Sequence, residues 1–344
     1  MAKRAAIGDI HLSSFESDLL DGDNLPQRLG MIIQTLDFIM NECRNRNITD
    51  IDILGDVMHD KSIISTVAQE LFKDFLNRNH DMRFVMISGN HDMSSTGELQ
   101  KSTIGVYDVY PNVDCIPYGP LEIGNITYIP YTKDFMDALV DIEPNDILIS
   151  HLGINEAHLA SGLSRVDKIT MNDIATKFRL ALLGHYHSPQ HLKNNRVDIY
   201  YAGSIYHRDW GDKNEHKRFL IYDTETLEVE SIPITGFREF REFVIETEED
   251  KDAILQQIEI AQNNGHKIRV KNKSGVKITE GISESVLVIE SKEIDITNRG
   301  IEITQTREEQ IKKYMEIKEI PENEQQDYLD MISKYNLLTV KGGS

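Results

Sequence analysis

The chain has 344 residues, of which 40% are hydrophobic and 27% are charged, and its formal net charge at pH 7 is −20. This length predicts more than one domain, and the sequence contains no apolar run near the ~20 residues that a membrane-spanning helix needs. Its two cysteines exclude a disulfide framework, and an amino terminus that leads straight into a strand argues against a cleaved signal peptide, so we expect a cytoplasmic protein.

Strand-like and helix-like segments alternate through about residue 190, which predicts an α/β fold. Apolar residues recur at three- and four-residue spacing from Leu29 to Cys43, which predicts an amphipathic helix after the first strand. Thr66 to Asn79 predicts a second helix, whose apolar side would include Val67. Arg218 to Tyr222 and Leu227 to Ile234 predict a closing hairpin.

A second, smaller α/β unit is predicted beyond Gly236. Its expected elements are a strand, a helix and two further strands, at Phe243 to Glu246, Thr247 to Asn263, Lys267 to Lys273 and Val286 to Glu290. In the tail, a capping-box pattern of Thr306 and Glu309 opens a helix, and Pro321 begins another. We therefore expect a first domain over residues 1–235, a second domain over 236–300 and helices over 301–344.

Five short groups of metal-ligand residues each follow a strand-like run. They read Asp9-Ile10-His11, Gly55-Asp56-Val57-Met58-His59, Gly89-Asn90-His91-Asp92, Ser150-His151 and Gly184-His185-Tyr186-His187. Side chains at the carboxyl ends of successive strands converge on one edge of a sheet. Oxygen and imidazole donors without thiolate suit manganese, iron or zinc better than a structural zinc site. Any one group alone could be a cap, a turn or a core group, but the five in this order predict a hydrolase with two metal ions.

The order and spelling of these groups resemble the calcineurin-like metallophosphoesterases. Within that superfamily the details resemble the SbcD and meiotic recombination 11 type of DNA repair nuclease, and the chain is similar to the compact recombination nuclease subunits of large phages. His59 stands three residues after Asp56, and Tyr201-Ala202-Gly203-Ser204 followed by Lys217 is similar to a stretch of that family. Arg218 is a departure, because a Gly usually follows the Lys. The resemblance implies a metallophosphoesterase-type β-sandwich flanked by helices, with a small α/β capping domain over 236–300 and a C-terminal helical tail.

The resemblance also implies a ligand set. The first metal ion would be held by Asp9, His11, Asp56 and His187, and the second by Asp56, Asn90, His151 and His185. Asp56 would bridge the two ions, which such chemistry needs ~3.5–4 Å apart. Manganese is the expected metal, with magnesium as the alternative.

Three further residues are expected to take part in the reaction. His91 is assigned to transition-state stabilisation or to protonation of the leaving group, and Asp92 is expected to orient its ring. The resemblance implies that His59 contacts a phosphate or a nucleotide. A structural role for His91 and a surface-turn position for His59 are the alternatives. The histidines without a motif are expected to be surface or packing residues: His80, His158, His191, His207, His216 and His266.

A cationic stripe is predicted in the second domain. Its members Lys267, Arg269, Lys271 and Lys273 would share one face of a strand, and Lys277 extends the set. In a chain this acidic, nucleic acid would have to be held by metal ions and a few local patches. The stripe is therefore either a contact to the DNA backbone or a set of cations that protects an edge strand from aggregation, and the sequence leaves both open.

Together these features predict a manganese-dependent DNA nuclease subunit, and the resemblance implies an exonuclease on duplex ends and an endonuclease on single strands that forms a homodimer. The resemblance implies that its tail helices dock on the coiled-coil base of an SbcC-like ATPase; packing on the body is the alternative. The apolar faces of those helices are Ile311, Tyr314, Met315, Leu329 and Ile332. Two other functions stay open: a phosphoesterase acting on nucleotides or phosphoproteins, and a scaffold that binds DNA ends for the ATPase.

Overall fold

The structure is a computed structural model that describes residues 3–14, 20, 26–61, 63–94, 101–158, 167–274, 286–290 and 315. The strands are β1 Lys3–Ile7, β2 Asp50–Ile53, β3 Arg83–Ile87, β4 Val113–Ile116, β5 Leu121–Ile123, β6 Ile126–Ile129, β7 Ile147–His151, β8 Leu180–Gly184, β9 Gln190–Lys193, β10 Asp198–Tyr201, β11 Arg218–Asp223, β12 Val229–Pro233, β13 Phe240–Ile245, β14 Lys267–Asn272 and β15 Leu287–Glu290. The helices are α1 Gln27–Asn45, α2 Thr66–Arg78, α3 Phe135–Val140, α4 Met171–Ile174 and α5 Lys251–Asn263.

Two mixed six-stranded sheets form the body of the described structure. The first has the order β12-β11-β1-β2-β3-β4 and the second the order β5-β6-β7-β8-β10-β9. An apolar layer lies between them and includes Val85 and Ile87 from the first sheet and Ile149 and Leu182 from the second. The sheets therefore pack face to face, and the expected α/β sandwich is confirmed.

Helices cover the outer faces of both sheets. Helix α1 buries one apolar side, including Leu29, Ile32 and Leu36, in the core of the first sheet, and α2 joins the same core, while α3 and α4 pack on the second sheet. The prediction for α1 is confirmed. That for α2 needs a correction at Val67, which is 40% exposed. The Ser65 side chain caps α2, so Val67 lies in the first turn, and the helix packs through Ala68, Phe72, Phe75 and Leu76.

Two expectations about element order have different outcomes. The predicted closing hairpin is confirmed as β11 and β12, which pair antiparallel. Strict alternation of strand and helix is wrong between β4 and β6, where three strands follow one another. Strands β5 and β6 pair antiparallel across the two residues Gly124 and Asn125, and a hairpin of this kind needs no crossover helix.

A buried polar cluster ties the two sheets together. The fully buried Asp52 accepts hydrogen bonds from Arg4 at 2.8 Å and from the hydroxyl groups of Tyr128 and Tyr222, both at 2.7 Å. Tyr128 belongs to the second sheet and the other three residues to the first. A buried carboxylate is tolerated only when a counter-charge and hydrogen bonds replace its hydration, and these three partners supply both.

A third sheet forms the small domain. Its three strands have the order β13-β14-β15 and run parallel, and α5 packs on it through Ile258 against Val270 and its neighbours. The predicted succession of strand, helix, strand and strand is confirmed. Thr247, predicted as the cap of this helix, lies three residues before the N-cap Asp250, and its hydroxyl donates to the Asp250 carboxylate at 2.8 Å in the turn that precedes α5.

The small sheet is hydrogen-bonded to the loop that connects β10 with β11. The N–H of Phe240 donates to Nδ1 of His207 at 2.9 Å, and the N–H of Asn214 donates to the carbonyl of Phe240 at 3.1 Å. Trp210 of the same loop meets the Phe240 ring edge-on at 5.0 Å and lies under the guanidinium of Arg269 at 4.4 Å. The position of this loop is therefore tied to the small sheet.

The expected domain limits at residues 236 and 301 stay predictions. Residues 301–344, predicted as a partner-binding tail, lie outside the described residues apart from Met315, which is buried. In the described ranges, no helix combines the length and the apolar character that crossing a membrane demands.

Candidate metal centre and active site

The five ligand groups lie at the carboxyl ends of β1, β2, β3, β7 and β8. The first three strands belong to one sheet and the last two to the other. The expectation that all ligands share the edge of a single sheet is therefore wrong, because the site forms where the two stacked sheets end side by side. Sheets packed face to face are ~10 Å apart, a distance that side chains from both sheets span together.

Four of the ligand residues have a backbone conformation that residues with a side chain rarely adopt. The φ angles are 47° for Asp9, 49° for His11, 52° for Asp56 and 100° for His185. Each such residue costs about 1–3 kcal/mol unless its surroundings hold it in place. The turns that carry His11 and Asp56 hold each other in place, because the N–H of His11 donates to the carbonyl of Asp56 at 2.8 Å. Strain concentrated at the ligands is typical of a functional site.

Two glycines allow the turns to approach closely. A Cβ atom at Gly55 would lie 2.6 Å from Nδ1 of His151, and the φ angle of Gly55 is 88°, so this position needs glycine. A Cβ atom at Gly89 would collide with the carboxylate of Asp56. The glycines of the second and third ligand groups therefore bring Asp56 next to His151 and next to the turn that carries Asn90.

Asp56 stands at the centre of the ligand set. Its Oδ2 lies 3.4 Å from Nε2 of His11 and 3.4 Å from Nε2 of His151. Its Oδ1 accepts the main-chain N–H of His91 at 2.8 Å. One carboxylate oxygen thus faces a histidine from each sheet. A ligand that is shared by two cations would have to lie in such a position.

The ligands expected for the first ion are close to one another. Nε2 of His11 lies 3.1 Å from Nε2 of His187, and donor atoms of Asp9, His11 and His187 lie within 4.8 Å of one another. Two imidazole nitrogens this close repel each other through their lone pairs unless a proton or a cation lies between them. Asp9 also accepts the N–H of His185 at 3.0 Å, which fixes its carboxylate.

The ligands expected for the second ion also meet. Oδ1 of Asn90 lies 3.1 Å from Nε2 of His151 and 2.9 Å from Nδ1 of His185. The ring of His151 is oriented by the carbonyl of Leu54, 2.8 Å from Nδ1, and this leaves Nε2 facing the other donors. A further group whose donor atoms lie within 4.8 Å of one another consists of Asp9, Asp56 and His151. Asp9 therefore lies close to the ligands expected for the first ion and to those expected for the second.

Burial decides the protonation of most of these side chains. It lowers the pKa of His187 to about 3 and holds the pKa of His11 well below its usual value. Burial alone would also lower the pKa of His151, but the charge of Asp56 outweighs it and raises that pKa to about 9. Burial raises the pKa of Asp9 to about 6. The neutral imidazoles of His11 and His187 can offer lone pairs to a metal ion without first losing a proton.

The donor chemistry fits divalent metal ions. The seven residues supply two carboxylates, one amide oxygen and four imidazoles, and thiol groups are absent from this set. Such mixed oxygen and nitrogen donors suit manganese, iron and zinc. The residues present would therefore hold a pair of divalent ions, with Asp56 shared between them.

His91 lies next to this centre, but Asp92 does not orient its ring. Nδ1 of His91 lies 2.5 Å from the carbonyl oxygen of His59, so the ring donates to that carbonyl. Asp92 is fully buried. Its carboxylate accepts the main-chain N–H groups, at 3.2, 2.9 and 2.9 Å, of Val57, Met58 and Gly89. The predicted role of Asp92 is therefore wrong: it holds the second and third ligand turns together, and a backbone carbonyl orients the histidine.

His59 is packed into the site. Its Nδ1 lies 3.5 Å from Nδ1 of His11, and its ring stacks on that of His91 with 5.4 Å between the centroids. Burial lowers the pKa of His59 to about 4, so the ring is neutral at physiological pH. These contacts contradict a surface-turn position and put His59 where a substrate group at the centre could reach it.

The structure brings to the site one residue that the sequence did not single out. Nη1 of Arg208 lies 2.6 Å from Nε2 of His187, and its Nη2 lies 3.4 Å from Nδ1 of His59. Lys217, from the stretch that carries the resemblance, is 1% exposed, and its Nζ donates to the carbonyl of His187 at 3.0 Å. Strand β10 pairs parallel with β8, so the loop that follows β10 begins at the same end of the sheet as the ligand group that follows β8. This strand pairing is the signal by which Arg208 could have been found.

The six histidines without a motif have surface or packing positions, as expected. His207 is buried in the loop that contacts the small sheet, and His266 is half-buried. The exposed ones are His80, His158, His191 and His216. Sequence motifs therefore separated the histidines of the centre from the rest.

The cationic stripe lies on β14, which is the central strand of the small sheet. Strand β13 pairs with one side of β14 and β15 with the other. Protection of an edge strand is therefore the wrong explanation, because β14 is not at an edge. Lys267 lies over the Phe240 ring at 5.0 Å, and Lys277 lies outside the described residues.

The other cations of the stripe are paired with acids of the same domain. Nε of Arg269 and Nζ of Lys271 lie 2.6 and 3.1 Å from the Glu242 carboxylate, and Lys273 lies 2.8 Å from Glu246. A DNA phosphate would have to compete with these pairs. Contact between the stripe and DNA stays a prediction.

A family model described as calcineurin-like phosphoesterase matches residues 2–203. This range contains all seven candidate ligands. The chain belongs to the calcineurin-like phosphoesterase family. As a calcineurin-like phosphoesterase it is a hydrolase, and its family uses divalent metal ions.

Individual relatives of this calcineurin-like phosphoesterase are distant. Exonuclease subunit 1 of Enterobacteria phage T4 is 22% identical over 271 residues, which are 68% of this chain and 75% of that protein. Among solved structures, TT1561 of Thermus thermophilus is 11% identical, with a TM-score of 0.40 over 68% of this chain and 99% of that chain. The nuclease MPE of Pseudomonas putida is 12% identical, with a TM-score of 0.33 over 66% of this chain and 86% of that chain.

Proposed function

We propose that this chain is a metal-dependent DNA phosphodiesterase, the nuclease subunit of an SbcCD-like repair and recombination complex. The observation that carries the proposal is the position of Asp56, whose Oδ2 faces His11 of one sheet and His151 of the other, each at 3.4 Å. Divalent ions held by the seven ligands would supply Lewis-acid activation of water and of the phosphoryl group. Manganese is the proposed metal, with magnesium as the alternative.

The residues of the chain itself position the substrate and move protons. Because Nδ1 of His91 donates to the His59 carbonyl, Nε2 is the ring atom that is able to hold or release a proton. We assign this atom to protonation of the leaving oxygen or to stabilisation of the transition-state charge. The neutral ring of His59, stacked on His91, is assigned to a phosphate or nucleotide contact.

Three observations support DNA as the substrate. The five ligand groups and the His59 spacing resemble the SbcD type of nuclease, and the phage relative is an exonuclease subunit. The cationic stripe brings four Lys and Arg residues together in an otherwise acidic chain, and Glu242 and Glu246 are paired with three of them. We propose exonuclease action on duplex ends and endonuclease action on single strands.

A second candidate function is hydrolysis of phosphoesters in nucleotides or phosphoproteins. The pairing of Arg269 and Lys271 with Glu242 favours it, because cations that are already neutralised attract a phosphate backbone less strongly. The net charge of −20 acts in the same direction. The resemblance argues against it, since the second ligand group lacks the Arg that protein phosphatases carry there.

One assay separates these candidates. The full chain is incubated separately with labelled duplex DNA, labelled single-stranded DNA, a nucleotide and a phosphopeptide, in manganese, in magnesium or with a chelator. The proposal expects metal-dependent cleavage of DNA that the Asp56→Asn variant loses. Turnover of the nucleotide or phosphopeptide without cleavage of DNA would establish the second candidate. Binding of DNA ends without any turnover would establish a scaffold.

We also propose that the chain forms a homodimer in the cytoplasm and that residues 301–344 bind an SbcC-like ATPase. The apolar spacing of the tail and the resemblance support this, whereas the burial of Met315 favours packing on the body. Truncation after Gly300 should leave a folded, metal-binding protein that no longer co-purifies with the ATPase. Loss of folding would make the tail part of the core, and sedimentation equilibrium tests the dimer.

A further inference from the structure

Arg208 projects from the loop between β10 and β11 into the metal centre. Its Nη1 lies 3.2 Å from Nε2 of His11 and 2.6 Å from Nε2 of His187. Its Nη2 lies 3.4 Å from Nδ1 of His59. A single guanidinium thus reaches three histidines at the side of the centre where the first ion would be held.

The donors of Arg208 are poorly matched by these partners. Within the described part of the chain, the buried Nε of Arg208 has no hydrogen-bond acceptor. A guanidinium presents five N–H groups in a planar fork that fits a carboxylate or a phosphate better than separate ring nitrogens. A buried donor without an acceptor is costly, so the side chain is arranged for an oxygen-rich ligand.

The imidazole contacts of Arg208 and metal binding exclude each other. A ring nitrogen has one lone pair, so Nε2 of His187 cannot accept a hydrogen bond from Arg208 and ligate a cation at the same time. Metal binding would therefore free Nη1 of Arg208. A phosphoryl oxygen of the substrate would then be the acceptor that suits this group best, because charge-assisted bonds to phosphate are short and strong.

We propose that Arg208 is a substrate-binding residue, which gives up His11 and His187 to the metal and then binds a non-bridging oxygen of the substrate phosphate. The inference rests on the proposed phosphodiesterase function of this centre, but it does not require that the substrate be DNA. It concerns a residue outside the five ligand groups and outside residues 2–203, which match the family model.

The loop holds the backbone of Arg208 in place. The N–H of Arg208 donates to Asp212 at 2.7 Å, and Asp212 is paired with the buried Lys217 at 3.2 Å. Before it in the chain, His207 is bonded to Phe240 of the small sheet. The backbone from which the guanidinium extends is therefore fixed, in part by the contact with the small sheet.

The test compares Arg208→Gln and Arg208→Lys in the full chain with Arg196→Gln as a control for charge, since Arg196 is exposed on the turn between β9 and β10. Three quantities are measured: the Kd for manganese, the Kd of the manganese-loaded protein for inorganic phosphate, and kcat and KM for a small chromogenic phosphodiester. In Arg208→Gln, manganese should bind more tightly and phosphate more weakly. The loss of phosphate affinity should be about 10- to 100-fold, as expected for one charge-assisted hydrogen bond.

The opposite signs of the two shifts separate substrate binding from a structural role. Arg208→Lys should keep part of the phosphate affinity, KM should rise more than kcat falls, and Arg196→Gln should match the wild type. In Arg208→Gln, weaker binding of both manganese and phosphate would overturn the proposal. Unchanged binding of both would overturn it as well. If the wild type hydrolyses nucleotides but not DNA, the phosphate measurement still decides the role of Arg208. A failure of the proposed DNA nuclease function can therefore be distinguished from a failure of the proposal for Arg208.

Discussion

The main-chain N–H of His91 donates a 2.8 Å hydrogen bond to Oδ1 of Asp56. The other oxygen of the same carboxylate faces His11 and His151. His91, which is assigned to proton transfer, is thus anchored on Asp56, which stands between the donor groups of the two expected ions. Because the anchor uses the backbone of His91 and not its ring, metal binding and proton transfer should respond to different substitutions.

Asp56→Asn should lower metal affinity and hydrolysis together while the fold persists. The substitution keeps the shape of the side chain but removes the anionic oxygen that both donor groups share, and a shared ligand between two divalent ions needs that charge. Manganese affinity, hydrolysis and the circular dichroism spectrum are the measurements. Asp60→Asn, an exposed carboxylate four residues further on, is the matched control. Full activity in Asp56→Asn would contradict the bridging position.

His91→Ala should remove most of the turnover and leave metal affinity unchanged. General acid–base help is typically worth ~10²–10⁴-fold in rate, and the bond from the His91 N–H to Asp56 survives the loss of the ring. The measurements are kcat on a phosphodiester and the Kd for manganese. A large fall in manganese affinity would instead make the ring a ligand, which its proximity to His11 and His59 allows.

Asp92→Asn should act on stability first. Burial, and after it the charge of Asp56, raise the pKa of Asp92 to about 7, while its three N–H donors favour the ionised form. Hydrogen bonds to a charged group are worth roughly 1.5–3 kcal/mol each. Asn has one acceptor oxygen for these donors, so the free energy of unfolding should fall by about that amount or more. Urea unfolding beside His91→Ala checks this, and unchanged stability with lost turnover would restore a catalytic role.

Two changes in and beside the cationic stripe are expected to have opposite effects on DNA binding. Changing Lys267, Arg269 and Lys271 together to Gln should weaken DNA binding and make the log–log salt dependence shallower by roughly 0.9 for each phosphate that is no longer neutralised. Glu242→Gln should strengthen binding, because it frees Arg269 and Lys271. Fluorescence anisotropy at several salt concentrations measures both. Unchanged binding in both variants would limit the stripe to holding the small sheet together.

The loop contact at His207 predicts a loss of stability in acid. Burial lowers the pKa of His207, and its Nδ1 accepts the N–H of Phe240, which a protonated ring cannot do. The unfolded chain takes up this proton near pH 6.5 while the folded chain resists it, so the free energy of unfolding should fall as the pH drops below about 6.5. The limit for one proton is about 1.4 kcal/mol per pH unit.

His207→Gln provides the comparison, because glutamine does not titrate. Urea unfolding at about pH 7.5 and about pH 5.5 should show a shallower pH dependence in the variant than in the wild type. Equal slopes would mean that His207 is protonated in the folded protein and that its contact with Phe240 is not what the pH change breaks.

The sequence by itself determined the α/β class, the helix α1, the hairpin β11–β12, the order of elements in the small domain and the seven residues whose donor atoms meet. These features are local: apolar spacing within one segment sets a helix or a strand, and a polar group directly after a strand must lie at its carboxyl end. Gly55 and Gly89 are visible in the sequence beside Asp56 and Asn90, but the groups for which they make room, His151 and Asp56, come from other segments.

Only the tertiary structure decided which distant segments become neighbours. It placed the ligand groups on two stacked sheets, gave Asp92 three backbone donors in place of the His91 ring, put the stripe on a central strand beside Glu242, and brought Arg208 against His187. Each of these relationships joins residues from different strands or loops. Strand order and sheet stacking are fixed by the packing of the whole core, and no pattern within a single segment encodes them.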